Sequence, residues 1–209
     1  MHVRLCDEFE HGFGWIADEF LLRCSHALVA DGRVWLVDPV DAEGVEERIR
    51  AAGEPAGVIQ LLDRHGRDSA ALSARLGVPH HVVPRSPLAG APFEFRSIRK
   101  WRFWQEVALW WPDAHVLACA DALATVAPYR APGERVAVHP LLRPFPPRRT
   151  FGGVEPRHIL CGHGEGVRGD EAAPALRTAV ANARRGLPSV MLQIVRAGAR
   201  GAAAKAERR

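Results

Sequence analysis

Apolar residues recur along this chain with different periods, and the changes of period mark its elements. Residues 24–30 and 33–37 are two β-rich runs on either side of Asp31-Gly32. Asp-Gly favours a two-residue hairpin, because a type I′ turn needs positive φ at both central positions. The second strand should stop at Asp38-Pro39, since proline has no N–H to give a ladder. Over 41–52 the period lengthens, with Val45 and Ile49 four apart among Glu43, Glu46, Glu47, Arg48 and Arg50, which predicts a surface helix ended by Gly53 and Pro55. The run 56–62 is short, apolar and β-branched at its centre, and reads as a buried strand. A polar loop follows, then a helix over 69–76 closed by Gly77. Strand, loop, helix and strand give a βαβ rhythm.

Beyond residue 84 the pattern is mainly β. Residues 101–111 are predicted as one strand, with Trp101, Phe103, Gln105, Val107, Leu109 and Trp111 on one face and Arg102, Trp104, Glu106, Ala108 and Trp110 on the other. Such an aromatic strand serves as core, or it lines a pocket or a homodimer contact. Pro112-Asp113 turns the chain, and residues 115–120 return as a strand ending on Asp121. After a proline-rich connector, a strand at 158–160 runs into Cys161-Gly162-His163-Gly164-Glu165-Gly166, and a helix over 170–185 closes at Gly186.

Composition changes this picture little. With 209 residues, 47% of them hydrophobic and 25% charged, the chain suits one globular domain, placed at 1–195. No apolar stretch reaches the ~18 residues of a membrane span, and no signal-peptide core opens the chain, so the expectation is a cytoplasmic protein with no membrane partner. Cys6, Cys24, Cys119 and Cys161 form no CxxC pair, which indicates neither a zinc knuckle nor a disulfide framework. His26, His80, His81 and His115 stand apart from any ligand spacing and read as surface or strand-end residues. The net charge of +4 resides in residues 196–209, where five basic residues face one acid. That segment is expected to be a disordered Ala/Gly/Arg tail, and the neutral remainder disfavours nucleic acid as a partner.

Three strand ends carry acids and imidazoles: Asp63, His65 and Asp68 after the first, Asp121 after the second, His163 after the third. Strand ends meet on one rim of a sheet, where α/β proteins build sites. In order and spacing these segments resemble the metallo-β-lactamase fold superfamily, which includes glyoxalase II-type thioesterases. Asp63-Arg64-His65-Gly66-Arg67-Asp68 falls where the family has His-x-His-x-Asp-His. The strand 116–120 with Asp121 resembles the one leading to a metal-bridging aspartate, and Cys161-Gly162-His163-Gly164 resembles Pro-Gly-His-Gly. The resemblance implies an α/β fold, a four-layer αββα sandwich.

The site departs from the family pattern. Only the second histidine of the loop remains, as His65; Asp63 and Asp68 replace the others, Arg67 replaces the aspartate, and Arg102 falls where a further histidine is expected. The resemblance implies Asp63, His65, Asp68, Asp121 and His163 as ligands of one divalent metal. A set with three carboxylates leans toward manganese or iron over zinc. Arg67 and Arg102 would bind an anionic group on a small-molecule substrate, with hydrolysis of an ester or thioester as the reaction. The alternative is a metal-free binding or scaffold protein in which Arg67 and Arg102 replace the metal charge.

Overall fold

The computed structural model describes residues 2–19 and 21–207, with side chains through residue 196. The chain opens with an antiparallel pair, β1 (Val3–Phe9) and β2 (Gly12–Ala17), which the apolar pattern does not announce. It pairs onto the predicted hairpin of β3 (Cys24–Ala30) and β4 (Arg33–Val37), where Asp31 and Gly32 have φ of 51° and 73°. α1 (Val45–Ala52) then leads to β5 (Glu54–Gln60), and α2 (Ser69–Leu76) to β6 (His80–Val82). Gly77 ends α2 in the left-handed conformation. The resulting sheet has the order β1-β2-β3-β4-β5-β6, antiparallel through β4 and parallel beyond it.

The second sheet uses β7 (Glu94–Trp101), β8 (Trp104–Trp111) and β9 (Val116–Cys119). A small ladder of β10 (Leu123–Ala124) and β11 (Ala137–Val138), and the short α3 (Arg148–Phe151), separate these from β12 (His158–Cys161) and β13 (Val167–Arg168). Its order is β13-β12-β9-β8-β7. The single strand predicted over 101–111 is two strands, because Arg102 and Phe103 form an exposed turn in which Trp101 pairs with Trp104. Apolar alternation passes through that tight turn unbroken, and no glycine or asparagine marks it.

α4 (Ala172–Glu207) closes the fold, running past Gly186 where the sequence predicts its end. A Cβ on Gly186 would lie 2.7 Å from both Arg143 Nη1 and Ala131 Cβ, so this glycine permits a close approach and is not a helix stop. The backbone of the predicted basic tail is therefore helical up to Glu207; its side chains from residue 197, and residues 208–209 altogether, lie outside the described residues.

Val45 and Ile49 of α1 pack on Phe13, Trp15, Leu36 and Val58 of the first sheet's outer face. The main core joins Leu28, Trp35 and Ile59 to Trp104, Leu109 and Leu117 between the sheets, and extends to Leu176, Ala179 and Ala183 of α4. The layers are helix, sheet, sheet, helix. Bridges Arg23↔His163 and Leu62↔Glu106 stitch the two sheets along one rim, where β4, β5, β9 and β12 all end. Among the described residues no helix is long and apolar enough to cross a membrane.

Candidate metal centre

Beyond β5 the chain crosses to the other sheet: Asp63 N donates to Gln105 O at 3.0 Å, and Val107 N to Leu61 O at 3.0 Å. This crossing turns His65 inward, where its ring is buried. Its Nδ1 lies 3.2 Å from Asp38 Oδ2 and its Nε2 3.0 Å from Asp121 Oδ1. Asp38 stands just after β4 at φ 44° and is anchored by Leu61 N, which donates to its Oδ1 at 2.9 Å. The proline after it ended the predicted strand; the aspartate itself orients the imidazole.

Asp121 follows β9 and is held through its backbone. Its N–H and that of Ala122 donate to Glu106 Oε1 at 3.0 and 2.9 Å, while Trp104 Nε1 donates to Glu106 Oε2 at 2.7 Å. Burial pushes the Glu106 carboxyl up to about 8, with the Asp121 charge adding to the shift and the Ala122 and Trp104 donors opposing it. His163, after β12, sits between two glycines with separate reasons. A Cβ on Gly162 would lie 2.5 Å from Ala120 O, and Gly164 has φ 83°. His163 Nδ1 donates to Leu21 O at 2.8 Å, which points Nε2 at Asp121 Oδ1, 3.1 Å away. Nε2 of His65, Nε2 of His163 and a carboxylate oxygen of Asp121 all lie within 4.8 Å of one another.

The other sequence-predicted residues are placed differently. Asp63 is exposed, and Asp68 turns away to accept from Asp41 N at 2.8 Å just ahead of α2. Arg102 sits on the exposed turn between β7 and β8. Arg67, at φ 42°, threads its guanidinium between the sheets, donating to Cys24 O at 2.6 Å, Asp38 O at 2.8 Å and Gly162 O at 2.8 Å. Its hydrogen bonds go to carbonyls, and burial lowers its pKa. Arg64, given no role from the sequence, pairs with Asp121. Its Nη2 is 3.6 Å from Asp121 Oδ2, and its guanidinium lies over Trp104, 4.3 Å from the ring centroid. Asp38, Glu106 and Arg64 carry no family ligand spacing, and only the strand ending at Asp38 gave a hint of any of them.

Both ring nitrogens of each histidine face an acceptor. Leu21 O fixes a proton on Nδ1 of His163, and the Asp38 carboxylate does the same for His65. Each Nε2 then meets Asp121 Oδ1 either with a second proton or across a cation. Two protons and one divalent cation carry the same charge, so the donor set fits a single metal ion with no other ionisation change. With protons only, burial lowers the His65 pKa, but hydrogen bonds to Asp121 and Asp38 outweigh it and raise the value from 6.5 to about 9. Burial works against the Asp121 carboxylate as well, yet bonds from His163 and His65 hold it well below the ordinary range. On the nearby wall, burial holds His139 down at about 4, and its Nδ1 accepts from Leu141 N at 3.2 Å.

No family model and no curated protein matches the sequence. Solved structures do match in three dimensions. DIM-1 metallo-β-lactamase exposed to ceftazidime aligns with a TM-score of 0.59 at 12% identity, over 90% of this chain and 98% of that one. VMB-1 aligns at 0.60 and 8% identity over 90% and 98%. A metallo-β-lactamase from Pontibacter korlensis aligns at 0.60 and 10% identity over 87% and 100%. The chain has the metallo-β-lactamase fold, and at these identities its chemistry is argued from its own side chains.

Proposed function

We propose that this metallo-β-lactamase-fold protein is a hydrolase of a small anionic ester or thioester that works with one divalent metal held by His65, Asp121 and His163. The observation that carries the reading is the pair of imidazoles with acceptors at both nitrogens, converging on a single carboxylate oxygen. Two imidazoles and one carboxylate suit iron(II), and such sets also serve zinc. The bound ion would polarise the substrate carbonyl and lower the pKa of water.

The chain's own residues set the geometry. Asp38 and Leu21 O fix the ring orientations, and Glu106 fixes the backbone that presents Asp121. Arg67 places a permanent cation beside the site, where the resemblance puts an aspartate ligand, and this limits the site to one ion. Arg64, partly exposed beside Asp121, is placed to hold a substrate carboxylate or phosphate in the role the sequence reading gave to Arg67 and Arg102. A cleft of about 710 Å³ adjoins the His163 loop at Gly164 and Thr125, and Arg4, Arg130 and Arg168 stand on its walls.

The test is turnover of a panel of carboxylated and phosphorylated esters and thioesters by metal-loaded protein. Activity should fall at least about 100-fold in Asp121→Ala. A wild type no faster than that variant on every substrate would overturn the reading. A second reading, a metal-free binding protein, is favoured by the Arg67 guanidinium seated on three carbonyls and by the positive charge that a protonated His65 already supplies. It predicts substrate-analogue binding that is indifferent to chelator.

A further inference from the structure

A second cluster of potential metal ligands lies beside Arg67, whose Nη1 donates to Cys24 O. It joins Cys6 and Asp7 of β1 to Cys24 and His26 of β3, and all four residues are buried. Cys6 Sγ is 3.3 Å from Cys24 Sγ and 3.7 Å from Asp7 Oδ2. Cys24 Sγ is 3.8 Å from Asp7 Oδ2 and 3.4 Å from His26 Nε2. Cys6, Asp7 and Cys24 offer ligand atoms all within 4.8 Å of one another, and His26 joins this group through Cys24 and Asp7. His26 Nε2 is 3.3 Å from Asp7 Oδ2. A tetrahedral zinc shell with ordinary Zn–S, Zn–N and Zn–O bonds separates its donor atoms by about 3.4–3.8 Å.

Two backbone features bring these groups together. Adjacent strand residues normally point to opposite faces. Here the β1–β2 register shifts between Cys6 and Phe9, and Asp7 adopts φ 50°, so Cys6 and Asp7 present their donors to the same place. Cys6 and His26 are separated by β2, and the residue paired with both is Gly14. A Cβ there would lie 3.0 Å from Cys6 Sγ and 2.9 Å from His26 Cδ2, so the missing side chain leaves the space into which both reach.

We propose that Cys6, Cys24, His26 and Asp7 form a buried structural zinc site, separate from the His65–Asp121–His163 centre. Two thiols with an imidazole and a carboxylate are a soft, mixed set that suits zinc, and full burial suits a closed structural shell. On binding, both thiol protons leave to solvent and the thiolates ligate. Gly166 N donates to Asp7 Oδ1 at 2.8 Å, so the site would fasten the N-terminal strands to the loop that carries His163.

Cobalt(II) titration of the full chain, stripped by chelator and kept under reductant, tests this. The expected result is a sulfur-to-cobalt charge-transfer band that saturates at one thiolate-bound cobalt per chain and is displaced by zinc. The band should persist in His163→Ala, which disables the other centre, and disappear in Cys24→Ser. Absence of the band in wild-type protein would overturn the proposal, as would a linked Cys6–Cys24 peptide in zinc-free protein purified without reductant. The wild-type spectrum decides by itself, so a misfolded variant leaves the test intact.

Discussion

At the scale of single residues, the Asp63–Asp68 loop shows what a sequence can and cannot say about a site. The convergence of His65, Asp121 and His163 was legible because each follows a strand that ends on the same rim. Asp63 and Asp68 share a loop with His65, but the positive φ of Arg67 and the crossing at Gln105 send them outward, and neither feature leaves a trace in residue spacing. Arg67 itself read as a partner for carboxylates, yet it serves three carbonyls. Arg67→Met leaves those acceptors without donors and should cost about 3 kcal/mol in urea denaturation. Arg67→Lys should recover less than half, because a single ammonium cannot span acceptors arranged around a planar fork. In metal-free protein the imidazolium of His65 contributes stability that is fully present below 6.5 and is lost as pH rises through about 9. Denaturation midpoints should therefore fall between those values, and His65→Gln should flatten that slope; an unchanged slope would remove the imidazolium from the account.

Among elements, the clearest divergence from the sequence lies in α4. Gly186 looks like a helix end because glycine terminates many helices. Its actual neighbour is Arg143, fully buried and paired with Glu134 at 2.5 and 3.1 Å, with further bonds to Ala183 O at 3.2 Å and Tyr129 O at 2.8 Å. This ion pair ties the proline-rich connector to α4 and needs the space a side chain would fill. By helix propensity Gly186→Ala should gain about 1 kcal/mol. The close approach predicts a net loss of about 1–2 kcal/mol, read by chemical denaturation; a gain would mean that Arg143 moves aside freely. The β7–β8 hairpin was hidden for a different reason. Both faces of β8 are buried, so apolar residues on either side of the turn continue one another and the period holds through Arg102 and Phe103.

For the molecule as a whole, the four-layer sandwich was foreseen through the family resemblance that the order of strand-end motifs carries. The β1–β2 hairpin stayed hidden. β1 is an edge strand with charged, partly exposed positions, and its register shift interrupts the alternation that would have revealed it. With β1 hidden, Cys6 and Asp7 could not be seen to meet Cys24 and His26. Among the described residues two groups of potential ligands flank one arginine: Arg67 Nη1 donates to the carbonyls of Cys24 and Asp38, and its Nη2 to that of Gly162.

The central claim is that one divalent ion sits among His65, Asp121 and His163. Diffraction at the metal absorption edge, from crystals of the full chain soaked in manganese(II) or iron(II), tests it by position. The account predicts one anomalous peak at this centre, ligated by Nε2 of His65, Nε2 of His163 and the Asp121 carboxylate. No peak there with either metal or with zinc, and both imidazoles still hydrogen-bonded to Asp121 Oδ1, would contradict it.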